Sequence, residues 1–328
     1  MTALAVPAAV RRLVMPAWYG ALVLACVYLA LIPTIGTGYW VRTLTFIFMF
    51  AVLAAGWNLI GGFAGYAAFG QVGWFGMGAY SVAVAMSKWH WPFYPALALG
   101  TALPAAAALA VGLPVLRLRG HYFAIATLGI AITLRELVNN FDLTGAGSGL
   151  STPLGPSFSY YYYLMFGAML LAVAVTWMLR RSRLGYALLA IRENESAAAT
   201  LGVNTTLAKA AAFAISAALA GLVGAIYAYW TAFIDPSTVF DLTFNVRMIV
   251  MVILGGTGTI LGPVIGAFLL EGISQTLWSS FPAEHLIFFG IAVVLIVLFV
   301  PAGLSGLLLE LRTLSPRLFV RNLLRYRV

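Results

Sequence analysis

The 328-residue chain is 63% hydrophobic and only 8% charged, with a net charge of +9. A soluble domain usually contains roughly 25% charged residues, so this composition excludes a water-covered globule and indicates a surface that faces lipid. The positive charge does not indicate a nucleic-acid partner, because basic residues mark the cytoplasmic side of membrane proteins. The single cysteine and three scattered histidines predict neither a disulfide framework nor a metal site.

Long apolar runs along the chain predict an all-α, polytopic bundle with about eight to ten membrane segments, forming one domain over residues 1–328. Each run supplies about the 17–25 residues that a hydrocarbon core ~30 Å thick requires. The predicted segments are 17–35, 42–60, 66–87, 95–116, 121–139, 159–179, 207–231, 246–271 and 285–303.

The basic residues predict the orientation of these segments. Fourteen of the eighteen arginines and lysines fall near ends that can share one side, including five arginines after Gly303. Placing them in the cytoplasm leaves Arg42, Lys88, Arg135 and Arg247 at the outer side. Both termini are therefore expected in the cytoplasm.

Nine full crossings would place the arginine-rich tail outside, so one segment near the end of the chain must enter the membrane and return. The candidate is Arg247–Glu271, which is interrupted by the glycine-rich run Gly255–Pro263. Glycine and proline break helices, and broken helices at membrane depth are tolerated where they are buried or line a cavity. We expect a re-entrant hairpin that enters from outside.

A second glycine-rich stretch, Gly61–Gly78, also begins with a Gly-Gly pair. Paired interruptions in two parts of a transporter can mark the substrate pathway, whereas glycines at three- and four-residue spacings can simply let helices pack closely. Both interpretations stay open. The candidate pathway residues are Asn58, Gly61, Gly62, Gln71, Gly255, Gly256 and Gly258.

The segment Arg180–Asn204 is charged and lies between two strong membrane segments. Leu184, Leu188 and Ile191 recur at helical spacing, and Gly202 is placed to end a helix. The pattern predicts a cytoplasmic coupling helix at about 184–204 that inserts into a groove on a partner, or alternatively a helix lying on anionic lipid. The candidate coupling residues are Arg192, Glu193, Asn194, Glu195, Ala198 and Gly202.

Charged residues near the ends of the segments, such as Arg247, are expected to reach the membrane interface with their long side chains. Glu271 is treated as the exception among them, because a charge placed deep in a membrane segment is costly and favours a functional role.

Within the coupling segment, Glu195-x-Ala197-Ala198-x-x-x-Gly202 resembles the Glu-Ala-Ala…Gly loop of permease subunits of bacterial ABC importers. Further pieces narrow the resemblance to LivM-type permeases of the branched-chain (hydrophobic) amino acid importers. These pieces include Asn58–Gly62, Leu116–Gly129 and Arg181–Glu195, and the resemblance extends over about residues 40–308.

The resemblance implies a heteromeric importer in the bacterial inner membrane. This chain would pair with a second, LivH-like permease above two ATPase subunits like LivG and LivF, and a periplasmic binding protein would deliver the solute. ATP would be bound by the partners, leaving this chain without a cofactor. The residues agree, because the chain has no G-x-x-x-x-G-K-[ST] phosphate loop and its only lysines are Lys88 and Lys209.

Three alternatives remain at this stage. A related permease would carry urea, short amides or aromatic acids. A secondary transporter working alone would need buried ionisable residues, of which the sequence offers few. A membrane-embedded enzyme would need a cluster of His, Asp or Glu within one segment, and none is present, so no catalytic residues are expected.

Overall fold

A computed structural model of the chain describes residues 8–118 and 120–280, together with Gly290. These residues form the predicted helical bundle. Its α-helices are α1 (Ala8–Ile35), α2 (Gly38–Asn58), α3 (Gln71–Ser87), α4 (Phe93–Val115), α5 (His121–Asn140), α6 (Phe158–Arg181), α7 (Arg183–Glu193), α8 (Glu195–Thr200), α9 (Thr205–Thr231), α10 (Pro236–Val239), α11 (Thr243–Gly255) and α12 (Gly262–Ser280).

Six helical stretches of the described chain are long and apolar enough to cross a membrane. They are Gly38–Phe63, Phe93–Val115, His121–Asn140, Phe158–Arg181, Thr205–Thr231 and Pro236–Gly255. Val23–Ile35 adds a shorter apolar helix. The predicted segment 285–303 and the arginine-rich tail lie outside the described residues.

Helices α2, α3 and α9 form the centre of the bundle and are buried along most of their length. Small residues allow this close packing. A Cβ atom added to Gly78 of α3 would lie 2.3 Å from the carbonyl oxygen of Gly221 in α9. At these positions, the close-packing interpretation of the glycines is therefore confirmed.

The predicted segment 66–87 is shorter than expected, because residues 64–70 are not helical and α3 begins only at Gln71. A π-helix, Leu59–Phe63, ends the preceding span. A distant side chain satisfies backbone groups where this stretch meets α3. Asn245 of α11 accepts a hydrogen bond from the Val72 N–H (3.0 Å) and donates one to the Phe69 carbonyl (2.5 Å). Protein partners thus replace the water that the membrane interior lacks.

The predicted break in 246–271 is confirmed as a hairpin of α11 and α12, joined by residues 256–261. The two helices pack with almost no space between their backbones. A Cβ atom on Gly255 would lie 1.7 Å from the carbonyl oxygen of Gly262, and one on Gly266 would lie 1.8 Å from that of Met251. The tip of this hairpin lies beside Gly62 and Arg192, at the same end of the bundle as α7 and α8.

The opposite end carries a small antiparallel sheet of two strands, β1 (Leu150–Ser151) and β2 (Phe233–Ile234). It joins the connection before α6 to the connection after α9. The glycine-rich loop that precedes β1 is therefore anchored to the bundle by backbone pairing.

Candidate coupling site and its connection to the bundle

The coupling segment predicted as one helix at 184–204 is in fact two short helices, α7 and α8. The chain bends at Asn194, whose backbone is extended (φ −163°) and whose Oδ1 accepts a hydrogen bond from the Ala197 N–H at 3.0 Å. Asparagine is a favoured N-cap, typically worth about 1 kcal/mol to the helix it begins. The prediction missed this bend because Asn194 lies inside a continuous run of helix-compatible residues.

The predicted amphipathic face of α7 is confirmed, since Leu188 and Ile191 are buried and Leu184 packs against the core. The predicted stop at Gly202 is also confirmed. Gly202 has φ +86°, its N–H donates to the Ala199 carbonyl, and the Val203 N–H donates to the Ala198 carbonyl. This pair of bonds is the Schellman termination, which requires a left-handed residue and so favours glycine.

Around Gly202, the surface of α8 is built from small exposed residues and one large apolar side chain. Ser196, Ala197, Ala199 and Thr200 are exposed, and Leu201 is 84% exposed. Such a face permits close approach by a partner, with a leucine available to enter an apolar groove. Leu201 was missed by the sequence argument, which weighed charge and glycine and ignored single apolar residues in a polar loop.

Two of the candidate coupling residues do not contribute to this exposed face. Ala198 is buried, and Glu195 forms an ion pair with Lys209 at the start of α9. The Nζ atom of Lys209 lies 2.6 Å from Glu195 Oε1 and donates to the Leu116 carbonyl at 2.9 Å. Tyr66 donates its hydroxyl proton to Glu195 Oε2, and the ammonium group of Lys209 lies over the Tyr66 ring.

This cluster of Tyr66, Glu195 and Lys209 joins the coupling segment to three parts of the bundle: the non-helical stretch before α3, the end of α4 and the start of α9. Lys209 is only 3% exposed. A buried charge of this kind requires its partner, because an unpaired one is strongly destabilising. The sequence could have indicated this buried cation, because Lys209, one of only two lysines in the chain, lies among alanines at the start of an apolar segment.

Besides the cluster of Tyr66, Glu195 and Lys209, a second set of hydrogen bonds connects the coupling segment to the hairpin tip. Arg192 donates to the Gly62 carbonyl at 2.8 Å, and the side-chain amide of Asn58 holds the tip through two bonds. Asn58 Oδ1 accepts from the Gly258 N–H at 2.8 Å, and Nδ2 donates to the Thr259 carbonyl at 2.9 Å. The two glycine-rich stretches of the sequence therefore meet here.

The structure brings together Asn58, Gly62 and Gly258 of the candidate pathway residues, but it does not bring Gln71 to them. Gln71 is buried, donates to the Ser216 carbonyl at 3.0 Å and accepts from the Ser216 hydroxyl at 3.1 Å. It thus fastens α3 to α9. Gly61 neighbours Trp57, whereas Gly255 and Gly256 lie at the hairpin break. A pathway role for these seven residues stays a prediction.

At the other end of the bundle, Arg247 and Glu271 face each other across α11 and α12, with Nη1 and Oε2 separated by 3.7 Å. Glu271 is 1% exposed. The expectation that Glu271 is a special case is therefore supported by its burial. The guanidinium group of Arg247 faces this carboxylate, and its side chain is 23% exposed; its expected reach to the membrane interface stays a prediction.

Comparison with known proteins places these features in a family. Residues 39–300 match the model of the family described as branched-chain amino acid transport system / permease component. The high-affinity branched-chain amino acid transport system permease protein LivM of Salmonella typhimurium and that of Escherichia coli K12 are each 31% identical to this chain. Each alignment covers 80% of this chain and 69% of the relative.

A more partial match is the autoinducer 2 import system permease protein LsrC of Yersinia pseudotuberculosis. It is 36% identical over 39% of this chain and 37% of the relative. No solved structure matches the chain. The family match covers most of the chain, and it agrees with the bundle of apolar helices that the residues predict. This chain is therefore a multi-pass membrane protein that belongs to the permease component family of branched-chain amino acid transport systems.

Proposed function

We propose that this chain is the subunit through which an ABC importer carries branched-chain amino acids across the bacterial inner membrane. The observation that carries the proposal is the 31% identity to LivM over 80% of the chain. In this proposal a second, LivH-like permease completes the membrane part, and LivG- and LivF-like ATPases bind ATP beneath it. A periplasmic binding protein delivers the solute, and both termini face the cytoplasm.

The exposed face of α8, formed by Ser196, Ala197, Ala199, Thr200 and Leu201, supports the proposed link to the ATPases. It lies between two membrane segments and is fixed to the bundle by the ion pair of Glu195 with Lys209. A movement imposed on α8 would therefore be transmitted to the non-helical stretch before α3 through Tyr66, and to the hairpin tip through Arg192 and Gly62.

Reconstitution tests the proposed function directly. The purified chain and its partner subunits in proteoliposomes should take up leucine only when ATP and the binding protein are both supplied. Dissipating proton and sodium gradients with ionophores should leave the uptake rate unchanged. Leucine uptake by this chain alone, driven by an ion gradient, would instead identify a secondary transporter.

The docking role of α8 predicts the effect of Leu201→Asp. This change places a charge in the proposed apolar contact, so the ATPase subunits should co-purify at least about tenfold less well, and leucine uptake should fall with them. The bundle should stay folded, because Leu201 is 84% exposed. Co-purification is measured by quantitative immunoblot after solubilisation in mild detergent.

Leu154→Asp is the matched control, because Leu154 is 87% exposed and lies before α6 at the opposite end of the bundle. It should leave ATPase co-purification unchanged. If Leu201→Asp retains the ATPases as well as Leu154→Asp does, α8 is not the docking element and the lipid-surface alternative is favoured.

A further inference from the structure

The outer half of the bundle contains a cavity of about 390 Å³ between α2, α11 and α12. Its wall includes two arginines, Arg42 and Arg247, and one carboxylate, Glu271. Helical rise places Arg247 and Glu271 at similar heights, roughly 12–14 Å from the hairpin tip. Ionisable side chains at such depth in membrane segments are costly and are retained mainly for function.

Arg42 and Glu271 have hydrogen-bonding groups available to a ligand in this cavity. Arg247 and Glu271 approach to 3.7 Å, which is too long for a good hydrogen bond. Glu271 Oε1 accepts from Gln275 at 2.9 Å, whereas the buried Oε2 accepts no hydrogen bond from the described part of the chain. Arg42 has no acidic group within 4.0 Å among the described residues.

The rings of Phe46, Phe50 and Phe244 supply the apolar part of the wall, to which Tyr39, Thr43, Ser274 and Gln275 add polar groups. The guanidinium of Arg247 lies 5.8 Å from the centre of the Phe50 ring. The volume lies at the small end of the roughly 300–1,000 Å³ typical of ligand pockets. The cavity therefore combines a cation for a carboxylate, an open carboxylate oxygen for an ammonium group, and aromatic walls for an aliphatic side chain.

We propose that this cavity binds the zwitterion of a free α-amino acid, with Arg42 binding the α-carboxylate and Glu271 accepting from the α-ammonium group. Arginine presents a planar fork that matches a carboxylate. The proposal rests on the proposed function, since the importer would deliver such a ligand to this end of the bundle.

Direct binding to the permease tests the proposal. The complex of this chain with its partner subunits is purified without the binding protein, and radiolabelled L-leucine is bound to it. Isocaproate, which lacks the ammonium group, and isoamylamine, which lacks the carboxylate, compete for the site. Each should compete at least about tenfold less well than unlabelled leucine, because each loses one charged contact.

Two variants assign the contacts. Arg42→Gln should weaken leucine binding at least about tenfold and leave competition by isoamylamine unchanged. Glu271→Gln should bind leucine and isocaproate about equally well. Arg135→Gln, which removes an exposed arginine of α5, is the matched control and should behave as wild type. Since Glu271 is buried and its substitution can destabilise the fold, Arg42→Gln at an exposed position provides the independent test.

The proposal is overturned if the wild-type complex binds none of the three probes, if isocaproate competes as well as leucine, or if Arg42→Gln and Arg135→Gln behave alike. Binding-protein-dependent uptake of leucine is measured in parallel. Uptake by the wild type together with any of these outcomes would reject the cavity and leave the proposed function standing. Absence of uptake despite a functional binding protein would reject the proposed function itself.

Discussion

Lys209→Met is expected to lower the free energy of unfolding by about 3–5 kcal/mol, because breaking a mostly buried ion pair by removing one partner is strongly destabilising. Methionine keeps most of the aliphatic length, so the loss of packing is small. The Leu116 carbonyl also loses its 2.9 Å donor. Unfolding by sodium dodecyl sulfate in mixed micelles, followed by circular dichroism, measures the change.

Lys88 is the matched control for Lys209, since the chain has only these two lysines and Lys88 is exposed after α3. Lys88→Met should change the free energy of unfolding by less than about 0.5 kcal/mol. Adding Glu195→Gln to Lys209→Met removes both charges and should restore most of the lost stability. Equal stability of the two single lysine variants would show that the buried pair contributes nothing.

The second large effect is expected at Gly266 in α12, where substitution by alanine should cost about 3 kcal/mol. The added methyl group would lie 1.8 Å from the Met251 carbonyl oxygen, so α11 and α12 would have to separate. Overpacking of a well-packed contact costs about 1–3 kcal/mol and occasionally more, and backbone atoms cannot move aside as a flexible side chain can.

At Gly272 of the same helix, substitution by alanine is expected to have the opposite effect on stability. A Cβ atom added there meets nothing within 4 Å among the described residues, and alanine is favoured over glycine in a helix by about 1 kcal/mol. Gly272→Ala should therefore raise the midpoint of unfolding in detergent, whereas Gly266→Ala should lower it. A decrease of similar size in both variants would contradict the close contact of α11 with α12.

Much of the bundle was predictable from the sequence because the bilayer sets the length of an apolar helix. The predicted segments 95–116, 121–139 and 159–179 agree with α4, α5 and α6 to within a few residues. The break between α11 and α12 was also predictable, because Gly255–Pro263 cannot continue a helix. The start of α3 at Gln71 was not predictable, because residues 64–70 are as apolar as the residues of a membrane helix. Asn245, which binds the backbone of this stretch, is distant in sequence.

The candidate coupling site was predicted in position but not in its internal contacts. The local signal is strong at Gly202, where the left-handed backbone depends on one residue, whereas the N-cap Asn194 lies within a run that otherwise favours one continuous helix. The pairing of Glu195 with Lys209 depends on where two helices begin in space. Sequence spacing alone could not distinguish a charge that faces a partner protein from one that faces the bundle.

The way in which Asn58 holds the hairpin tip affects how this region can change by mutation. Its side-chain amide binds only main-chain atoms of the tip, the N–H of Gly258 and the carbonyl of Thr259. The side chains of Thr257 and Ile260 take no part in these two bonds. Substitutions at Thr257 and Ile260 can therefore change the side chains presented at the tip, while the two hydrogen bonds from Asn58 still hold the tip in place.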